Sequence, residues 1–495
     1  MSMEDMDTGK EFSRRDFVKW AGAVGFGSMS VLALTACGGD KKNDASSPTT
    51  GAEKSRGFTS SGDTLKVGVI APFSGVGAFI GRIVNNSLDA AVAQINATGG
   101  IGGRKVAVIK RDTGTDPAAG VKAYQAFASD KSVVGVLWCG GLGLDESRAQ
   151  IKRDNMPVIA VFNDLYSAGN LFPAVQERSV FQILMPDTMA FDVLTNYAKH
   201  DRGYSKVGFI YDSLLLSTAK DRFTAAANKA GLTIAGLETY QLNDADFGPQ
   251  VNRLKNAKGE ALFVWGIAGD TAGLMKAVDK VGGGYVDTPT AKGGEWHPHV
   301  LGSPGGTGEH TWADLAGGAA KIGTLTAWHV GGLVALPSFS IRGWMTKYLK
   351  KNVTGGEESP ADGLFTLVHA VEKAGGTDRQ KMVTAIETMG DIKFASLPFS
   401  FSATRHLSKT MDDLILVTLE KSSGPAKTTP AYELGTEWKS VFPAGYVGPT
   451  HLVRPTLEAN KRAHPDVMAE VLRLGYGTQC TKHADGTLGN ECKIH

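Results

Sequence analysis

Residues 136–147 read VLWCGGLGLDES. An apolar run closes on Trp138 and Cys139 and breaks into Gly140, Gly141 and Gly143. A loop of this kind at a strand end can hold a phosphate, a metal or a small organic molecule. A phosphate cradle needs GxxxxGK followed by Ser or Thr, or GxGxxG opening a helix, so that N–H groups converge on the anion. Here Glu146 stands where a third glycine belongs, and no lysine follows. Asp145 and Glu146 read more simply as first-turn acids that complement a helix dipole. A metal finds little better. His297 and His299 lie two apart beside Glu295, a spacing that puts both imidazoles on one face of an extended chain. Pro298 intervenes, no further ligand has suitable spacing, and the stretch reads as a polar loop. Nucleophilic catalysis has no foothold: there is no GxSxG elbow and no Cys–His spacing. Ser74, in PFSG, ends an apolar run without a base nearby, as a helix cap or a ligand-contacting hydroxyl would. Cys139 reads as a small buried hydrophobe.

Aromatics and glycines remain. Phe73, Phe79, Trp138, Phe162 and Trp265 all fall at or near the ends of apolar runs. Apolar walls with a few placed polar groups describe a small-molecule pocket. The reading is therefore a binding protein with no enzyme activity, no cofactor and no metal.

The elements that would position these residues alternate. LKVGVIAPF, KVAVIKRD, VVGVLW and MPVIAVF read as strands, with helices NNSLDAAVAQINATGG, PAAGVKAYQAFASD and LDESRAQIKRDN between them. The pattern restarts at KVGFIYD and runs through TIAGLETYQ, ALFVWGIA and HVLGS, again with intervening helices. Near-continuous apolar strands alternating with helices mean parallel sheets covered on both faces. Further helices follow in IRGWMTKYLKKNV, ADGLFTLVHAVEKAG and RQKMVTAIETMG. SFSATRHL and DDLILVTLEKSSG read as a closing hairpin and TEWKSVF as a last short piece. In open parallel sheets, ligands sit at the carboxyl ends of the strands. If two lobes face each other, the loops after the strands line one cleft.

The chain has 495 residues, 42% hydrophobic and 21% charged, with a net charge of +2. That is a globular composition with no clustered basic footprint for nucleic acid. SRRDFVK at Ser13–Lys19, the glycine-diluted apolar stretch Trp20–Thr35 and LTAC at Leu34–Cys37 follow the order of a secretory signal. The apolar stretch is shorter than the roughly 20 residues that span a bilayer. The pattern resembles a twin-arginine export signal ending in a lipobox, which implies cleavage before Cys37 and lipid on its sulfur. Gly38–Gly62 is polar and too poor in large apolar residues to order itself. As a tether it reaches about 25–30 Å from the lipid. In the polar tail, Cys480 and Cys492 would close a short loop in an oxidising compartment, worth ~3 kcal/mol to that segment.

LKVGVIAPFSGVGAFIG, INATGGIGGRKVAVIKRD (Ile95–Asp112), VFQILMPDTMAFDVLTNY and DADFGPQVNRLKNAKGEALFVWG (Asp244–Gly266) resemble the substrate-binding proteins of branched-chain amino acid ABC transporters, periplasmic binding proteins of type I. The resemblance covers Leu65–Lys421 and agrees with the lipoprotein signal. It implies an α/β fold of two Rossmann-like, doubly wound lobes joined by three crossovers and closing on ligand like a hinged clamp. The crossovers are expected near Met185–Pro186, Ala327–Pro337 and Ala395–Pro398. Lobe 1 would then comprise 63–185 and 337–396, and lobe 2 186–336 and 397–450. Residues 1–36 form the signal, 37–62 the anchor and tether, and 451–495 a C-terminal extension.

The resemblance also implies a site. In the amino-acid receptors, hydroxyls and N–H groups after the third strand hold the ligand carboxylate. Here Cys139, Gly140 and Gly141 lead into that loop, and Gly141–Leu144 offers no hydroxyl. In the next loop Phe162, Asn163 and Asp164 replace a small residue and a threonine. A closing tyrosine is replaced around Leu215 and Leu216, and the acid that meets the ammonium falls at Pro304. Ile267 belongs to the same wall. The departures are toward apolar character or lose the complementary charge, and burying an unpaired ammonium costs several kcal/mol. The expected ligand is therefore largely apolar, aromatic or aliphatic, with one polar end reaching Ser74, Asn163 or backbone N–H groups. Asp164 would pair a cation or hydroxyl and disfavour a carboxylate beside it. The function implied is lipid-anchored capture of a small molecule outside the cytoplasm for an ABC permease. A sensor coupled to a signalling partner, or a leucine/isoleucine/valine receptor with altered contacts, are the alternatives.

Overall fold

Side chains alternate across a strand, so two hydrophobic helix layers can be built on one buried sheet. The strand Val133–Cys139 shows how. Leu137 and Cys139 enter one core with Val67, Val69 and Ala71, whereas Val136 and Trp138 enter the opposite one with Ile70 and Tyr124. The computed structural model describes residues 64–163, 178–281, 296–307, 312–319, 325–329, 342–350, 353, 355–390, 399–410, 413–421 and 436–441.

The first sheet contains β1 (Leu65–Ala71), β2 (Val106–Asp112), β3 (Val133–Cys139), β4 (Val158–Val161) and β5 (Val180–Gln182), in the order β2-β1-β3-β4-β5. Every pairing is parallel. The crossovers carry α1 (Ala78–Ala97), α2 (Pro117–Ser129) and α3 (Arg148–Asp154). Helix α2 starts on Pro117, and the Asp116 carboxylate caps it by accepting from Ala118 N at 2.9 Å.

The second sheet has the order β12-β11-β10-β9-β8-β6-β7. Its strands are β6 (Lys206–Asp212), β7 (Thr233–Tyr240), β8 (Ala261–Trp265), β9 (His299–Gly302), β10 (Leu325–His329), β11 (Leu414–Lys421) and β12 (Thr436–Val441). Strands β6 to β10 pair in parallel; β11 and β12 add antiparallel. Helices α4 (Asp187–Asn196), α5 (Ala219–Ala230), α6 (Gly248–Ala257), α7 (Ala268–Lys280) and α8 (Trp312–Ala316) belong to it. Phe191, Phe209, Phe223, Phe263 and Trp265 form one aromatic stack under α4 and α5, with Phe191 and Trp265 4.0 Å apart between ring centroids.

The chain then returns. Helices α9 (Arg342–Leu349), α10 (Gly355–Lys373) and α11 (Arg379–Glu387) bring Met345, Leu364, Leu367, Met382 and Ile386 into the first core. The fold is bilobed α/β, as the alternation implies.

Two expectations need correcting. Residues 399–410, assigned above to lobe 2, pack on lobe 1: Phe399 and Phe401 are buried in the first core, and Phe401 meets Phe181 edge-on at 5.1 Å. Gln182 N donates to His406 O at 2.8 Å, and Ser408 N donates to Gln182 O at 3.0 Å. The third crossing therefore falls after Thr410 and not near 395–398; residues 391–398 lie outside the described residues. SFSATRHL is likewise no hairpin partner, because Leu414–Lys421 pairs with β10 and β12. At the first expected crossover, Leu184 packs on the first core and Met185 on the second. Leu184 has φ +78°, a strained value for a branched side chain. Of the second crossover, residues 330–341 lie outside the described residues.

The returning segment is anchored by a network in which exposed Arg178 meets buried Glu387 and His406. Arg178 binds Glu387 through Nη2 at 2.7 Å and Nε at 2.9 Å. His406 Nδ1 lies 2.9 Å from Val180 O, and its Nε2 3.3 Å from Glu387 Oε1. Burial pushes the imidazole below its ordinary value, with Arg178 adding to the effect and Val180 and Glu387 opposing it. The folded protein thus favours neutral His406. Its contribution to stability is complete above the unfolded value of about 6.5 and is lost as pH falls below it. Thermal unfolding of the wild type should therefore weaken between pH 7 and 5 more than that of His406→Gln; equal slopes would show that His406 titrates alike in both states. In the second lobe, Phe223→Ala removes a fully buried ring from the aromatic stack and should cost about 3–5 kcal/mol in urea unfolding.

Candidate functional site

The carboxyl ends of the strands carry the loops singled out by sequence. After β1, residues 72–77 are held by Asp112 at the end of β2. Its Oδ1 accepts from Phe73 N (2.7 Å), Ser74 N (3.1 Å) and Gly114 N (2.9 Å), and its Oδ2 accepts from Ser74 Oγ (2.5 Å). Slight burial works upward on this carboxyl, but the four hydrogen bonds outweigh it and hold Asp112 below the usual carboxylate range. The Ser74 hydroxyl proton, expected to meet ligand, is thus engaged inside the loop. Gly75, at φ +72°, lets the chain pass Gly114: a Cβ there would lie 2.9 Å from Gly114 O. Phe73 and Phe79 are half-buried, Phe73 against the first core.

The loop after β3 does not use its aromatic as a wall. Trp138 is fully buried, stacked on Tyr124 at 5.8 Å, and its indole N–H donates to Leu142 O at 3.2 Å. Cys139 is fully buried on the other face, and burial pushes its thiol far above the ordinary value. Trp138 was expected in the cleft and Cys139 at its edge; strand alternation sends them to the two cores, Cys139 as the small buried hydrophobe its residue type suggests. Gly140 is buried, with φ +88°. Gly143 permits the close approach of α2, since a Cβ there would lie 2.4 Å from Pro117 O. Gly141 stays exposed. After β4, Phe162 is half-buried against the first core at φ +56°. The Asn163 amide nitrogen lies 2.9 Å from both Trp138 O and Val161 O. Asp164 lies outside the described residues, as do Cys37, Cys480 and Cys492.

In the second lobe, Asp212 Oδ1 shapes the loop after β6 by accepting from Leu214 N (2.7 Å) and Leu215 N (3.3 Å). Leu214 is exposed and Leu215 half-buried, while Leu216 packs against the second lobe's aromatic core. Trp265 is fully buried. Ser303 Oγ donates to Gly266 O at 2.7 Å and lies 3.2 Å from Gly266 N, tying the loops after β8 and β9 together. Ile267 and Pro304 are half-buried beside that tie. Asp270, at the start of α7, is pushed up to about 6 by burial, with Asp212 and Asp244 adding to it. Burial likewise raises Asp212. Neither acid carried a motif, so sequence reading missed both, as it missed Asp112. The one available signal was their position after apolar runs.

The candidate metal ligands dissolve into structure. His299 opens β9, fully buried, with Nδ1 3.1 Å from Tyr204 Oη. Among the described residues no group of three or more His, Cys, Asp or Glu could hold a metal. Trp296 is buried, and its N–H donates to Gly259 O at 3.0 Å, away from the strand carboxyl ends. Among the described residues, no helix is long and apolar enough to cross a membrane.

The rims thus offer half-buried apolar side chains on loops whose polar side chains mostly hold the loops themselves. Asp112→Ala should release the first loop and raise amide hydrogen exchange at Phe73, Ser74 and Gly114 by about tenfold or more. Asp112→Asn, which keeps one carbonyl oxygen, should raise it less; unchanged exchange in both variants would show that other contacts hold the loop.

Comparison with known proteins agrees with this architecture. Residues 64–424 match the family model described as periplasmic binding protein. A Leu/Ile/Val-binding protein homolog from Brucella melitensis biotype 1 is 28% identical over 266 residues, 53% of this chain and 66% of that protein. A periplasmic binding protein type 1 from Bordetella pertussis Tohama I superposes with a TM-score of 0.63 at 20% identity, covering 77% of this chain and all of the other. A solute-binding protein of an ABC transporter from Rhodopseudomonas palustris BisB5, in complex with 3,4-dihydroxybenzoic acid, gives a TM-score of 0.59 at 20% identity and covers 73% of this chain and 94% of that one. With two α/β lobes and a family match across both, the chain belongs to the periplasmic binding proteins, in their type I fold: non-catalytic proteins that bind a small solute.

Proposed function

We propose that this protein is a lipid-anchored receptor outside the cytoplasm that captures a small, largely apolar ligand between its lobes and delivers it to the permease of an ABC importer. The observation that carries the ligand class is the character of the strand-end rim. Phe73, Phe79, Phe162, Leu215, Ile267 and Pro304 are half-buried there, and the Ser74 hydroxyl and Asn163 amide protons are engaged internally. A zwitterion would have to leave its ammonium without a side chain of opposite charge at Pro304, at a cost of several kcal/mol. An aromatic ring with one polar end fits such walls. The aromatic acid held by the Rhodopseudomonas protein supports that class, while the Brucella relative's name supports the branched-chain amino acids.

The anchor rests on the order of motifs around Arg14, Arg15 and Cys37. Lobe closure supplies the mechanism: contacts made only in the closed form shift the population toward it, and the closed form is what the permease would read.

Native mass spectrometry of freshly purified protein should release an apolar or aromatic small molecule. A thermal-shift panel should then show stabilisation by 4-hydroxybenzoate and related aromatics, and little by leucine, isoleucine or valine. Strong stabilisation by those three amino acids alone would overturn the ligand class.

A further inference from the structure

We propose that Asn163 sets ligand specificity: its side-chain oxygen, poised over Gly141, accepts a hydrogen bond from a ligand hydroxyl or N–H and repels a carboxylate at that place. The inference rests on the binding reading above and deepens it by naming the group that must face lobe 1.

A side-chain amide has two N–H donors and one acceptor oxygen. In Asn163 the nitrogen lies 2.9 Å from Trp138 O and 2.9 Å from Val161 O, carbonyls of the penultimate residue of β3 and the last residue of β4, two adjacent parallel strands. Both partners can only accept. Flipping the amide would set an oxygen against two oxygens, so the network fixes which end is which. Both donors are thereby engaged, and the oxygen has to point the other way.

Gly141 shows where it points. A Cβ built on Gly141 would lie 2.7 Å from Asn163 Oδ1 and otherwise meet only the carbon behind that oxygen, at 3.8 Å. Unlike Gly140 and Gly143, Gly141 has no left-handed backbone to explain its identity. The oxygen above it is the one contact that requires glycine there. Gly141 is exposed and Asn163 only half-buried. Among the described residues no donor reaches this oxygen. An acceptor held rigidly and left without a donor rewards a ligand that brings one. The Ser74 hydroxyl, the other polar group expected to meet ligand, donates its hydrogen bond to Asp112.

The test keeps one end of the ligand constant and varies the other. The probes are 4-hydroxybenzoate, 4-methoxybenzoate and terephthalate, whose para groups are a donor, an acceptor and an anion. Isothermal titration of the wild type should give dissociation constants at least about tenfold weaker for the second and third than for the first. Asn163→Ala removes the oxygen and should bring the three within about threefold of each other. Because that variant also takes one donor from each of two strand carbonyls and can lose stability, Gly141→Ala serves as the independent case. It leaves the Asn163 side chain in the protein, crowds its oxygen with a methyl group and should narrow the same ratio. Equal binding of the three probes to the wild type would overturn this inference and leave the apolar-ligand reading standing, as would wild-type discrimination retained in both variants. Binding of leucine, isoleucine or valine with none of the aromatics would overturn both.

Discussion

An open parallel sheet must end its ladder at the carboxyl edge and still keep its buried carbonyls supplied with donors. At β3 and β4, Gly140 N donates to Val161 O at 2.9 Å, and the Asn163 amide adds a second donor there and one to Trp138 O, so a single side chain ties the ends of both strands. It ties the chain where it leaves β4 and sets its amide oxygen over Gly141, where a Cβ would lie 2.7 Å from it. At β1 and β2 the same task falls to Asp112, whose carboxylate gathers four donors from two loops. A carboxylate can only accept, so it organises N–H groups; an amide has donors to give, so it closes carbonyls. The two residues are not interchangeable, and each sits where its chemistry is required.

The second lobe solves its rim differently. Ser303 bridges both backbone groups of Gly266, Tyr240 Oη donates to Trp265 O at 3.0 Å, and Asp212 holds the turn after β6. Burial pushes both Asp270 and Asp212 up, with Asp212 and Asp244 adding to the effect at Asp270 and Asp244 adding to it at Asp212. The two rims are therefore unlike in charge. The first has its acid exposed and fully bonded; the second has a buried acidic pair.

Much of this fold was legible in the chain, because helix and strand periods are local. The βα alternation, the Pro117 helix start and the glycine-rich loop ends could be read directly. What misled was facing. Trp138 and Cys139 close a run that is buried on both sides, and in such a run hydrophobicity does not say which way a side chain points. The return of residues 399–410 to the first lobe was illegible for another reason. SFSATRHL has the composition of a strand, yet its partner, β5, is more than two hundred residues away and only three residues long. Asp112, Asp212 and Asp270 escaped notice because single acids carry no pattern. Gly141 was read as part of a loop without a hydroxyl; the structure sets the Asn163 amide oxygen over it.

The returning segment also governs the order in which the molecule can be completed. The His406–Val180 bond spans 226 residues, and Phe399 and Phe401 finish a core begun by Val67 and Val69. A nascent chain that has laid down β1 to β5 still shows a bare strand edge and an unfilled apolar hollow, and the second sheet equally waits for β11. Neither half can seal until nearly all of the matched region has left the ribosome. Such long-range closure slows folding and favours binding by holdases in the meantime. It also couples the maturation of both halves to one late stretch of chain.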